Sequence, residues 1–305
     1  MKITITTLLV AAATLTSAAP TTSYFAGFNL GANAKDGSCK TTAQWQQEFT
    51  KIKSWSTGGK GTFDTIKLFS TADCDALARA VPAALATGVK LWVGVWNVDD
   101  AKFGREKAAL EAAITANPDT SRWLKGINVG SESLYRKEIS ADKLAQQIYD
   151  VKGMVQIALK SPNTPVGTAD TWTMWVHPDN KPVAKAVDVA IMNGFPYWQG
   201  APIDQGLAKL KQAIWDTRKA VGYEKPFVLG ETGWPSAGPN FEAAAATKEN
   251  AEKYWKAAAC WLQTSPSNYP WFWFSGFDEP NRESTIEKNF GIADANQNLK
   301  FDLKC

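Results

Sequence analysis

Eight short apolar runs, separated by stretches with helical periodicity, limit what this chain can fold into more than any other feature. They fall at Phe25–Gly31, Asp64–Ser70, Lys90–Asn97, Lys125–Glu132, Thr164–Thr171, Asp188–Tyr197, Pro226–Glu231 and Trp271–Asp278. Their centres (TIKLF, LWVGVW, GINVG, VAIMN, FVLG, WFWF) are β-branched, aromatic or otherwise apolar, over lengths that suit strands rather than helices. Continuous apolar runs of this kind mark strands buried on both faces, as parallel strands are. Helical patterns fill the gaps: Thr42–Trp55 with Trp45, Phe49 and Ile52 on one face, Asp75–Ala86, Arg105–Ala116, Ser140–Leu159, Ile203–Val221 and Phe241–Gln263. Thr, Ser, Gly and Pro stand at the positions that start and stop helices. Between the fifth and sixth runs the connection HPDNKPVAKA is short and holds two prolines, so that crossover is weak. No linker, repeat or low-complexity tract divides the chain. The fold expected is α/β, a single (β/α)8 TIM barrel, for which about 250 residues are typical.

In such a barrel the loops after the strands build the site. The strand ends then bring together Asn29, Phe69 and Ser70, Trp96, Asn97 and Asp99, Glu132, Asp170 and Trp172, Phe195, Tyr197 and Trp198, Glu231 and Trp234, and Asp278 and Glu279. Glu132 ends the fourth strand and Glu231 the seventh, each just after small residues. Two carboxylates converging from distant strands suit acid/base and nucleophilic work on one bond. Aromatics on the same rim offer flat apolar faces to sugar CH groups, and the other acids can bond hydroxyls; together they describe a carbohydrate cleft. The other account of two strand-end glutamates is a pair of rim carboxylates held in salt bridges.

The N-terminal MKITITTLLVAAATLTSAAP has one Lys, an apolar stretch and small residues at Ala18 and Ala19. It reads as a secretory signal over residues 1–19, too short to span a bilayer, with the barrel in residues 20–305. The C-terminal NLKFDLKC has no hydrophobic tail of the kind a GPI anchor needs, so an exported chain with no membrane partner is expected. Removing Lys2 takes the formal charge from +3 to +2, and no basic run is present, so nucleic acid is not an expected partner. Cys39, Cys74, Cys260 and Cys305 allow three pairings. Pairing Cys39–Cys74 would tie the region of the first two strands, and Cys260–Cys305 would pin the terminal tail. No CxxC spacing, second histidine near His177 or Gly-rich phosphate loop occurs, so neither a metal nor a cofactor is expected. Asn-x-Ser/Thr is absent as well.

GINVGSES, GETGWPSAG and FSGFDEPNRESTIEKNFGI occur in that order at the ends of the fourth, seventh and eighth runs. At these residues the chain resembles glycoside hydrolase family 17, in its fungal cell-wall β-1,3-glucanase and glucanosyltransferase group. The resemblance extends from FAGFNLG to FGIAD, nearly all of the mature chain. It implies a retaining glycosidase acting on β-1,3-glucan, with Glu132 as general acid/base and Glu231 as nucleophile. It also maps Glu279, Arg282 and Glu287 onto charged cleft residues of the eighth-strand loop, Arg282 standing where plant members have Lys. Tyr197, Trp234, Trp172 and Asp278 are expected to face substrate, with Trp175 and Trp198 as further candidates.

Two positions depart from the family pattern. Ser131 replaces the Asn that many members place before the acid/base to bond a sugar hydroxyl, and Lys67 and Phe69 stand where relatives often have Arg and Tyr. The resemblance implies a cell-wall enzyme that cleaves glucan and transfers part of it, with hydrolysis competing, and the chain is expected to work as a monomer. The alternative is a wall protein that binds glucan without turning it over. Sequence leaves the balance of transfer and hydrolysis open.

Overall fold

The computed structural model describes residues 23–59, 61–266 and 268–305; the leader expected over residues 1–19 lies outside them. The strands are β1 (Ala26–Leu30), β2 (Phe63–Leu68), β3 (Lys90–Val95), β4 (Leu124–Ser131), β5 (Val166–Thr171), β6 (Val189–Asn193), β7 (Phe227–Thr232) and β8 (Trp271–Trp273). Each pairs in parallel with its sequence neighbours, and β1 pairs with β8, closing the barrel. The strands are buried almost throughout, which is why their sequences are continuous apolar runs.

Two apolar regions hold the barrel. Inside it, at the end where the strands begin, Phe25, Trp92 and Phe272 form a plug with ring centroids 5.0–6.0 Å apart, packed on Ala169, Val189, Ile191 and Val228. Gly126 on β4 makes room for it, since a Cβ there would lie 2.5 Å from the Trp92 ring. Outside the barrel, helices α1 (Thr42–Lys53), α2 (Ala76–Thr87), α3 (Asp100–Ala116), α4 (Ala141–Lys152), α7 (Gly206–Val221) and α8 (Lys248–Thr264) press their apolar faces on the sheet. Helix α1 buries Trp45, Phe49 and Ile52, and Thr41 with Gln44 closes a capping box at its start. The crossover from β5 to β6 consists of two short helices, α5 (Trp172–Val176) and α6 (Lys181–Ala186), joined by a 3-10 turn.

Several boundaries differ from the sequence expectation, each for a local reason. Helix α3 starts five residues before Arg105 because the Asp99 carboxylate accepts from the Lys102 amide at 2.6 Å. Asp99 is therefore a helix cap rather than a rim acid. Helix α8 starts at Lys248, capped by Thr247, instead of at Phe241; Phe241 and Ala244 pair their backbones in a loop that turns toward the cleft. Strands β6 and β8 stop at Asn193 and Trp273, well before the ends of their apolar runs, so Phe195–Trp198 and Phe274–Asp278 belong to rim loops.

The disulfides are Cys39–Cys74 and Cys260–Cys305, with Cα atoms 5.1 and 5.5 Å apart. In the chain-entropy account, closing loops of this length is worth about 4 kcal/mol each. The Cys305 amide also donates to the Thr57 carbonyl at 2.8 Å, so the tail is fixed twice. Among the described residues, no helix is long and apolar enough to cross a membrane.

Candidate active site

The C-terminal ends of the strands open into a cleft of about 810 Å³, and Glu132 and Glu231 both face it. Glu231 lies within β7, so its backbone is held by the sheet: it pairs in register with Asn193 of β6, and its carbonyl accepts from the Gly194 amide at 2.8 Å. Its carboxylate meets a cation. Lys67 of β2, fully buried, donates to Glu231 Oε1 at 2.8 Å and to Asn29 Oδ1 at 3.0 Å. Asn29 of β1 is fixed in turn, its Nδ2 donating to the carbonyls of Gly230 and Trp273 at 3.2 Å each. The ammonium also stands 4.5 Å from the centre of the Phe69 ring.

Glu132 is built differently. It is the first residue past β4 and has φ +57°, in the left-handed region that favours glycine. Its amide donates to the Ala169 carbonyl at 2.7 Å, which ties the turn to β5. Asp170, next along β5, accepts from the Leu134 amide at 3.0 Å and the Thr171 amide at 2.8 Å, bracing the same turn. Glu132 Oε1 accepts from Asn193 Nδ2 at 3.0 Å, and Oε2 lies 3.7 Å from Arg136 Nη1. Asn193 thus touches both sides of the site, paired by backbone with Glu231 and by side chain with Glu132.

These surroundings push the two carboxylates apart in character. Burial, and then the Glu231 charge, raise the pKa of Glu132 above the usual carboxylate range; the Asn193 amide, Arg136 and Lys67 oppose the rise. Burial raises Asp170 further, to about 7. Glu231 has a buried ammonium in contact with it. The pair consists of a carboxyl disposed to keep its proton and a second glutamate in contact with a fixed cation, two different settings that suit proton donation and nucleophilic attack.

The eighth-strand loop supplies one wall of the cleft. Glu279 accepts from the Gly31 amide at 3.0 Å and from Arg282 Nε at 2.5 Å, while burial raises Glu287 against the pull of Arg282. Asp278 pairs with Lys300 at 2.6 Å and accepts from the Gly291 amide at 3.0 Å. All four, with Ser131 and Trp172, line the cleft.

Comparison with known proteins fits this architecture. The BtgE/BtgC glycoside hydrolase domain matches residues 27–291. The crystal structure of a glycoside hydrolase family 17 β-1,3-glucanosyltransferase from Rhizomucor miehei is similar with a TM-score of 0.79 at 30% identity, over 92% of this chain and 98% of that one. The chain belongs to glycoside hydrolase family 17. An active-site mutant of the Rhizomucor protein in complex with laminaritriose gives a TM-score of 0.80 at 31% identity, with the same coverage. A glucan 1,3-β-glucosidase of Saccharomyces cerevisiae is 33% identical over 293 residues, 91% of this chain and 90% of the relative.

Within this glycoside hydrolase, two residues expected to face substrate do not line the cleft. Tyr197 is fully buried, and its hydroxyl donates to the Pro239 carbonyl at 2.6 Å. Trp234 is buried against it, with ring centroids 5.6 Å apart and the indole N–H given to the Ala245 carbonyl at 2.9 Å. Both polar tips are used by backbone, so these rings support the rim from below. Trp175 is likewise buried, its N–H bonded to the Ile191 carbonyl. Phe195, Trp198, Phe241 and Phe290 form the aromatic wall instead, with Trp198 and Phe241 partly open to solvent. His177 sits half-exposed beside Asp179, away from the cleft.

Sequence reasoning named neither Asn193 nor Arg136 as a site residue, and it treated Lys67 only as a departure from a family pattern. Asn193 carried one usable signal, a lone amide closing the run VAIMN where an apolar residue would continue the strand. A lysine inside the apolar run TIKLF is a similar signal, since a buried ammonium needs an anion.

Proposed function

We propose that this glycoside hydrolase cleaves β-1,3-glucan with retention of configuration and transfers the released glucosyl chain to a sugar hydroxyl, with water as a competing acceptor. The observation that carries the reading is the asymmetry of the two carboxylates: Glu231 is paired with the buried ammonium of Lys67, and Glu132 has its proton affinity raised by burial and by Glu231. The names of the yeast and Rhizomucor relatives supply the substrate class.

In the first step a Glu231 oxygen attacks the anomeric carbon and the glycosidic C–O bond breaks. Glu132 gives its proton to the departing oxygen. A retaining mechanism of this kind uses carboxyl groups about 5–5.5 Å apart. In the second step Glu132, now ionised, takes the proton from an acceptor hydroxyl, whose oxygen bonds the anomeric carbon as Glu231 departs. Two inversions give retention. Lys67 holds positive charge beside Glu231 in the step where the carboxylate is released, and stabilises the leaving group there. Trp172, Ser131, Asp278, Glu279, Arg282 and Glu287 are in place to bond or stack on sugars along the cleft. The two disulfides suit an oxidising compartment, and with the apolar N-terminal sequence they support secretion.

Mass spectrometry and linkage analysis of products from laminaripentaose test the reading. Products longer than the substrate with wild type, and none with Glu231→Gln, are expected. Only shorter products at every substrate concentration would remove the transfer step. Binding of the sugar with no turnover by folded wild type would favour a glucan-binding wall protein.

A further inference from the structure

Arg136 is the cation paired with Glu132, across 3.7 Å and with no hydrogen bond between them. Its Nε donates to Glu138 Oε1 at 2.7 Å and its Nη2 to Glu138 Oε2 at 3.2 Å, a two-point carboxylate grip. The same Nη2 donates to the carbonyl of Ser131, and the guanidinium lies 5.1 Å from the centre of the Trp96 ring. Only Nη1 is turned to Glu132, and the 3.7 Å separation is too long for a hydrogen bond. Glu138 does not line the cleft, whereas Arg136, Trp96 and Glu132 do. We propose that Glu138 tunes the acid/base: by holding Arg136 from the far side, it keeps the guanidinium at ion-pair distance and out of hydrogen-bond contact with Glu132, and so lets Glu132 keep the proton it must donate.

The remaining groups facing Glu132 are accounted for. Glu231 on β7 and Asp170 on β5 are anionic or acidic, Lys67 on β2 is already committed to Glu231 and Asn29, and Asn193 on β6 is a neutral donor. Among the described residues, Arg136 is the one cation within 4 Å of Glu132. An opposite charge within about 4–6 Å lowers a carboxyl pKa by about 1–3 units, so at 3.7 Å Arg136 already opposes the rise at Glu132, and closing to a hydrogen bond adds to that pull. Arg136 is partly exposed, with a side-chain accessibility of 35%, so solvent screens part of that effect.

The inference rests on Glu132 being the proton donor. In a retaining enzyme, the basic limb of the kcat/KM profile follows the ionisation of that donor. The test is the pH profile of kcat/KM on laminaripentaose for wild type, Glu138→Gln, Arg136→Met and the double variant. Glu138→Gln is expected to move the basic limb down by about 0.5–1 pH unit, because the freed guanidinium closes on Glu132. Arg136→Met is expected to move it up. In the Arg136→Met background, Glu138→Gln is expected to lose more than half of its shift, since its effect runs through the arginine.

A limb that is unmoved or raised in Glu138→Gln overturns the proposal, as does a shift retained by more than half without Arg136. If Glu138→Gln does not fold, Glu138→Asp decides: its shorter carboxylate loosens the grip, and a downward shift supports the proposal while an unmoved limb overturns it. Failure of the donor assignment is seen separately, as an active Glu132→Gln enzyme.

Discussion

The rims of β4 and β7 each present a glutamate to the same cleft, and they hold it in opposite ways. Glu231 sits inside a strand, its backbone fixed by the sheet and its carboxylate fixed by the buried Lys67–Asn29 pair. Glu132 sits one residue past a strand in a left-handed turn, braced by Ala169 and Asp170 and facing a half-exposed arginine. The proposed nucleophile has to be aimed at one carbon, which a strand and a hydrogen bond from a fixed ammonium provide. An acid/base has to gain and lose a proton in each cycle. A buried turn with weak, opposed partners leaves both states within reach. The difference indicates that electrostatic context, rather than the glutamates themselves, separates the two proposed roles.

The sharpest way to break this comparison is to remove each carboxylate and supply a small anion. Glu231→Ala and Glu132→Ala should each lose roughly 10³-fold or more of activity, by the scale of acid–base catalysis and above. Azide should rescue the first as an α-glucosyl azide, displacing in place of the missing nucleophile. It should rescue the second as a β-glucosyl azide, attacking the covalent intermediate from an activated donor. Product anomers identified by NMR check both, and reversed anomers would exchange the roles.

Lys67→Met should come next. It leaves Glu231 as an unpaired buried charge, and losing one partner of such a pair costs about 3–5 kcal/mol. Urea unfolding should show the loss, and an unchanged midpoint would mean the cation is not needed to hold Glu231.

Asp170 gives a pH-dependent effect on the β4 side. Its carboxyl is raised from 3.8 to about 7 by burial. Between those values the unfolded chain gives up the proton while the folded protein keeps it, so the folded state binds more protons and stability falls as pH rises. The contribution is fully present below pH 3.8 and lost through about pH 7, on the order of 4 kcal/mol. Melting temperatures of wild type and Asp170→Asn across that window check it; the variant should be flatter.

The smallest effect should come from Asn193→Ala, which removes the amide donated to Glu132. The loss of one hydrogen bond to a charged group, roughly 1.5–3 kcal/mol, should lower kcat about tenfold or more and move the basic limb upward. A downward limb would contradict the amide's place in the comparison.

Much of this was legible in the sequence. Eight apolar runs alternating with helical patterns determined the barrel, because parallel strands buried on both faces leave no other periodicity. Glu132 and Glu231 could be placed at one rim because strand ends share a face of such a barrel, whereas four cysteines left three pairings open until the fold set Cys39 beside Cys74 and Cys260 beside Cys305. Aromatic roles were not legible. Tyr197 and Trp234 sit at strand ends like Trp172, yet their polar tips go to backbone carbonyls of a loop that the sequence did not place. Nor was Asp99 legible as a cap, since a residue between a strand and a helix can serve either.

The sequence by itself determined the architecture and the placing of the two carboxylates at one rim, since each depends on periodicity or on residue identity at a strand end; which cysteines pair was decided by the fold. Tertiary structure decided which cation faces which carboxylate and how closely. Lys67, Asn193 and Arg136 reach the site from β2, β6 and the turn after β4. The sign and size of each influence depend on distances of a few ångströms that barrel closure alone sets.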